Sequence, residues 1–140
     1  MTRGNVAQQR GTATPLVQSR LDRGPLKVGI VSPYGYPHPG GVNDHVRHTY
    51  EAMRRLGHDV WIITSKYGKE RTTEGHVIRL GTGYAFPANG SMGRVTLSWR
   101  FKQRARELLE RQRFDILHFH EPLVPFLSPT VLDQSQTVNV

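Results

Sequence analysis

Lys27 to Ser32, KVGIVS, is a short β-branched run held between Pro25 and Pro33. It lacks the polar alternation of a strand with one wet face, so it suits a strand buried on both sides, the situation of a parallel sheet. Residues 33–41 are rich in proline, glycine and tyrosine and must be loop. Helical spacing then starts with Val42, Val46, Tyr50, Met53 and Leu56, and Gly57 ends it. The same grammar recurs downstream. DVWIITS (Asp59 to Ser65) and HVIRL (His76 to Leu80) read as buried strands, and residues 81–91 as a long loop. An amphipathic helix is predicted from about Gly93 to Gln112, then a strand FDILHF from Phe114 to Phe119. VPFLSPTVLDQ suggests a short helix interrupted by Pro125 and Pro129, and Thr137 to Val140 a strand just begun. Strands alternating with helices predict an α/β, Rossmann-like parallel sheet with helices on both faces. Its ligands would sit beyond the carboxyl ends of the strands.

A chain of 140 residues is expected to build one core. Residues 1–24, with Arg3, Arg10, Arg20 and Arg23 among polar residues, read as a disordered basic tail, which leaves 25–140 as the domain. The absence of cysteine removes disulfides, thiolate metal sites and cysteine nucleophiles, and agrees with a cytoplasmic setting. No apolar run of about 18 residues is present, so membrane contact would be peripheral. Net charge +8 calls for an anionic partner. Nucleic acid is not expected, because no zinc-finger spacing, ribonucleoprotein strand or basic region with heptads occurs.

Three loops carry candidate chemistry. Gly40 and Gly41 open the first helix, where unpaired N–H groups and the positive dipole end favour a phosphate; the alternative is a tight turn needing positive φ. The pattern is not G-x-G-x-x-G and no acidic residue closes the second strand, which argues against a dinucleotide site. Asn89-Gly90-Ser91 with Arg94 joins a sugar-compatible amide to a phosphate-compatible guanidinium, or is simply a helix-capping turn with a solvated arginine. His118 and His120 share one side of a strand. No third ligand stands near them and no metal is expected, so a satisfied, partly buried histidine remains an equal reading of His118.

Taken together, Pro33-Tyr34, Pro39-Gly40-Gly41-Val42 with His45-Val46, the Phe86 to Ser91 loop with Arg94, and Asp115-Ile116-Leu117-His118-Phe119-His120-Glu121-Pro122 resemble the retaining GT-B glycosyltransferases. Within these the phosphatidylinositol mannosyltransferases are the most similar, and the resemblance runs from Leu26 to Val140. It implies the amino-terminal, acceptor-side domain of an enzyme moving a sugar, mannose from GDP-mannose, to a phosphoinositol-type acceptor, with no tightly bound cofactor. Gly40 and Gly41 would face the donor diphosphate. Tyr34, Asn43, Asn89 and Arg94 would face the acceptor, and His118, His120 and Glu121 would support the cleft. Pro37 stands where the family tends to have Asp, and Asn43 where it tends to have Gln, so an identical acceptor does not follow.

The resemblance also implies catalytic groups outside this chain. A histidine is expected just beyond Val140, and donor-binding residues on a carboxy-terminal domain, so 25–140 is read as an incomplete domain, inactive by itself. On the basic helix, Trp99, Lys102, Arg106 and Arg113 lie together away from the apolar face of Leu97, Phe101, Ala105, Leu108 and Leu109. They would suit peripheral contact with an acidic membrane at the inner face of the plasma membrane. The rival reading is an inactive anion- or acidic-lipid-binding module of the same fold.

Overall fold

The computed structural model describes residues 24–66, 73–82, 85–88, 91–94 and 99–140. Among these residues eight strands and three helices run in the order β1 (Lys27–Ser32), α1 (Gly41–Arg55), β2 (Asp59–Lys66), β3 (Thr73–Glu74), β4 (Val77–Thr82), β5 (Ala85–Ala88), β6 (Ser91–Arg94), α2 (Trp99–Gln112), β7 (Ile116–Phe119), α3 (Leu127–Gln134) and β8 (Val138–Asn139). The main sheet has the order β3-β4-β2-β1-β7-β8. All its pairings are parallel except that of the short edge strand β3 with β4. The Rossmann-like α/β architecture predicted from the alternation of elements is therefore the one observed.

The apolar strand runs fill both faces of the sheet. Val28, Ile30, Val60 and Ile62 pack with Val46 of α1 on one side. Val31, Ile63, Ile78 and Leu117 pack with Phe101, Ala105 and Leu108 of α2 and with Leu127 and Val131 of α3 on the other. Gly29, at the centre of β1, is required by this second layer: a Cβ there would stand 2.7 Å from Leu117 Cδ2 and 3.2 Å from Ile63 Cδ1. α1 ends as expected at Gly57, whose φ of 90° lets its N–H reach Arg54 O while the His58 N–H reaches Met53 O. This is the paired closure that a left-handed glycine permits.

The segment between β4 and α2 departs from the sequence expectation. Ala85–Ala88 and Ser91–Arg94 form an antiparallel hairpin apart from the main sheet, and the helix begins at Trp99 rather than near Gly93. Two glycines and a proline in FPANGSMG dilute the periodicity, so the strand pairing there was not legible as a pattern. β3 is only two residues long, too short to show any period. Pro129 falls in the first turn of α3, where its missing N–H costs no helix hydrogen bond. Residues 1–23, read as a basic tail, lie outside the described residues.

Candidate functional site

Among the parallel strands, counted in chain order, the sheet runs third, second, first, fourth, fifth. The chain therefore reverses direction of winding between β1 and β7, and their carboxyl ends are the place where open α/β sheets form a ligand crevice. Two of the loops predicted to carry chemistry, those after β1 and β7, flank this crevice.

The loop after β1 is fixed from below by side chains on β2, β4 and α1. Thr64 Oγ donates to Tyr34 O and accepts the Tyr36 N–H at 3.0 Å. Ser65 Oγ donates to Pro33 O at 3.1 Å, and the buried guanidinium of Arg79 donates to Tyr36 O at 3.3 Å. The Tyr36-Pro37 peptide is cis. Asn43, 7% exposed, gives both amide N–H groups to the loop, to Gly35 O at 3.0 Å and His38 O at 2.8 Å. Its carbonyl oxygen accepts from Ser32 Oγ at 3.3 Å. The amide expected to face an acceptor thus holds the shape of the loop.

Thr64, Ser65 and Arg79 were not singled out from sequence. The available signal was the arginine inside the apolar run VIRL, a charge that a buried strand carries only with partners.

Gly40 and Gly41 stand at the start of α1, with no side-chain cap on the helix. A Cβ on either would meet no atom within 4 Å, but the backbone of Gly40 has φ 158°, a conformation that side chains rarely adopt, so the turn itself favours glycine there and only Gly41 is left without a structural demand. Their lack of side chains leaves the first-turn N–H groups open to a ligand approaching from outside.

The loop after β7 closes on the first. Tyr34 Oη donates to Glu121 Oε2 at 2.6 Å across 87 positions of chain. This bond, with some desolvation, holds the Tyr34 phenol above its ordinary pKa. Glu121 has φ 48°, a left-handed backbone uncommon outside glycine and asparagine. The His120 N–H donates to Val31 O at 2.9 Å, carrying the β1 to β7 ladder one residue past the end of β7.

His118 pairs in register with Ile30 and so lies on the α1 side of the sheet. The His118 and His120 rings are 4.8 Å apart, and His45 of α1 meets His120 edge-on at 5.1 Å. Burial first, and then the neighbouring histidines, lower His120 to about 4; burial and His45 lower His118. Both rings are therefore neutral near pH 7. No group of three or more metal-ligating side chains suited to an ion occurs among the described residues.

The structure thus brings Tyr34, Gly40, Gly41, Asn43, His118, His120 and Glu121 to the carboxyl end of the β1–β7 pair. Asn89 lies outside the described residues, and for Arg94 and Trp99 the backbone alone is described. On α2, Lys102 pairs with Asp133 of α3 at 3.2 Å and Arg106 with Glu110 at 2.8 Å. Arg106 and Arg113 line a polar cavity at the opposite end of the sheet, together with Glu110, Asp133 and Thr137. No helix among the described residues is long and apolar enough to cross a membrane.

Comparison with known proteins agrees with this architecture. The sequence model of Glycosyltransferase Family 4 matches residues 39–132. A phosphatidyl-myo-inositol mannosyltransferase of Mycobacterium leprae is 35% identical over 103 residues, 74% of this chain and 27% of that protein. The protein of the same name from Mycolicibacterium smegmatis is 30% identical over 111 residues, 79% of this chain and 28% of its own length. One from Propionibacterium freudenreichii is 29% identical over 106 residues. The chain thus spans little more than a quarter of the length of these relatives. With a family model covering most of the folded region and a GT-B type sheet whose switch-point crevice holds the matching loops, this chain belongs to glycosyltransferase family 4.

Proposed function

We propose that this domain is the acceptor side of a retaining glycosyltransferase that moves mannose from GDP-mannose to a phosphoinositol-type lipid. The observation that carries the reading is the switch-point crevice, with an open glycine start of α1 on one flank and the Tyr34-Glu121 bridge on the other. A diphosphate would lie against the N–H groups at Gly40 and Gly41. Tyr34, with Asn89 and Arg94 of the hairpin region, would meet the acceptor; Asn43 would act by holding the loop, and His118, His120 and Glu121 by lining the cleft. A second, carboxy-terminal domain would bring the remaining donor-binding and catalytic groups, with no tightly bound cofactor in either. Residues 1–140 by themselves would bind without turnover. The names of the M. leprae and M. smegmatis relatives support the choice of mannose and inositol lipid.

Peripheral contact with the inner face of the plasma membrane through Trp99, Lys102, Arg106 and Arg113 belongs to the same proposal. Acidic lipid would have to draw Lys102 from Asp133 and Arg106 from Glu110, exposed pairs of little intrinsic strength.

The test is a chimera in which residues 26–140 replace the matching segment of the M. leprae relative, assayed for mannose transfer from GDP-mannose to phosphatidylinositol vesicles. Transfer that drops at least about tenfold when Tyr34 is changed to Phe supports the proposal. A folded chimera that binds the vesicles but forms no product from any nucleotide sugar would leave the anion- or lipid-binding module as the better description.

A further inference from the structure

The three histidines at the crevice are more than lining. His118 and His120 project from the carboxyl end of β7 toward α1, and His45 comes from the second turn of that helix to meet His120. Three imidazoles thus form a continuous row beside the helix start that Gly40 and Gly41 leave open. His120 Nε2 is buried and has no hydrogen-bond partner among the described residues. A buried imidazole nitrogen left unpaired carries a desolvation cost that a ligand atom, or a proton shared with one, would relieve.

We propose that His45, His118 and His120 form a proton-coupled phosphate site, in which a dianionic phosphate group entering the crevice brings a solvent proton onto the histidine row. The inference rests on the reading that phosphate-bearing ligands enter this crevice, and adds to it a residue set and a linkage. The groups that face His120 are His118 on its own strand, His45 from α1, and Glu121 beside it. In the free protein burial and the two neighbouring rings keep His120 neutral, while the Glu121 carboxylate opposes them and loses. A dianion adds opposite charge at close range and favours the imidazolium. Because binding of anion and proton must be reciprocal, affinity for the anion rises as pH falls through the raised pKa.

The experiment uses the full 140-residue chain labelled with 15N at histidine, with imidazole resonances followed by NMR across pH. Sulfate is the first probe, because it remains a dianion throughout and any pH dependence then belongs to the protein. The expected result is that sulfate raises the His120 titration from about 4 by about two units and binds about fourfold more tightly near pH 5.5 than near pH 7.5. His120→Gln and His45→Gln should flatten that dependence, whereas His48→Gln, on an exposed position of the same helix, should keep it. Pyrophosphate and glycerophosphoinositol then separate the sources: a shift with pyrophosphate that the singly charged phosphodiester does not match supports a dianion of the diphosphate kind as the group received, and an equal or stronger shift with the phosphodiester would overturn the requirement for a dianion. Histidine signals that sulfate leaves unmoved, or a pH dependence that survives in His120→Gln, would overturn it. Mannose transfer by the chimera with unmoved histidines sinks this inference alone. Proton uptake in a chimera that transfers nothing sinks the transferase reading alone.

Discussion

The two ends of the sheet are built from similar residues for opposite purposes. At the amino end, the Asp115 carboxylate accepts the Lys27 N–H at 2.8 Å, the Asp115 N–H returns a bond to Lys27 O, and Thr137 Oγ1 donates to Asp115 O. Lys27 Nζ donates to Gln112 Oε1 at 2.8 Å and stands over the rings of Trp61 and Phe114. Among the described residues at this end the left-handed non-glycine is Arg113, which directly follows α2, where helices commonly close in that way. The carboxyl end places its left-handed Glu121 after a strand, bridges it to an exposed tyrosine, and buries an unpaired histidine nitrogen. One end spends its polar groups on joining strands, and the other keeps capacity in reserve. In a parallel sheet all strands point their carboxyl ends the same way, so a single edge collects the loops free to vary and the opposite edge is left to hold the layers together.

The contrast can be broken in order of effect. Leu117→Ala, in the core shared by both ends, should cost about 2–5 kcal/mol in urea unfolding, because Leu117 is fully buried between β1 and the α2 side. Gly29→Ala should cost about 1–3 kcal/mol by forcing Leu117 and Ile63 aside, and a double variant with Leu117→Val should recover part of it.

Asn43→Ala strips the loop after β1 of two hydrogen bonds and should cost about 1–3 kcal/mol. If that loss is absent, the loop is held by Thr64, Ser65 and Arg79 without it. Asp115→Ala is the matching change at the amino end and should cost about 1–2 kcal/mol while leaving sulfate binding untouched.

The smallest effects separate the ends best. His120 has a lowered pKa, so its contribution to stability is complete above 6.5 and is lost as pH falls through about 4. His120→Gln should therefore flatten the acid limb of thermal stability between those values. Glu121→Gln should change stability by no more than about 1 kcal/mol, since the pair is exposed. It should also bring the Tyr34 phenol back down toward its ordinary value in an absorbance titration, because the bond to Glu121 is the main cause of its elevation. An unmoved phenol would mean that the bridge does not persist in solution.

Sequence alone determined the layered α/β plan. KVGIVS, DVWIITS and HVIRL could be buried on two faces only inside a parallel sheet, and Val42 to Leu56 offered a helix face to cover one of them. It also determined which loops carry candidate chemistry, because glycines opening a helix and histidines closing a strand are local facts. The tertiary structure decided what each group is free to do. Asn43 looked available for a ligand, but the loop's two carbonyls claim it, and Arg79, which drew no reading from sequence, proves to hold Tyr36 O. The same holds for His45, which joins residues 118 and 120 only because β7 inserts next to β1. Periodicity reports which face of an element is buried, whereas hydrogen-bond partners and ring neighbours across 30 to 90 positions depend on strand order, which no local pattern encodes.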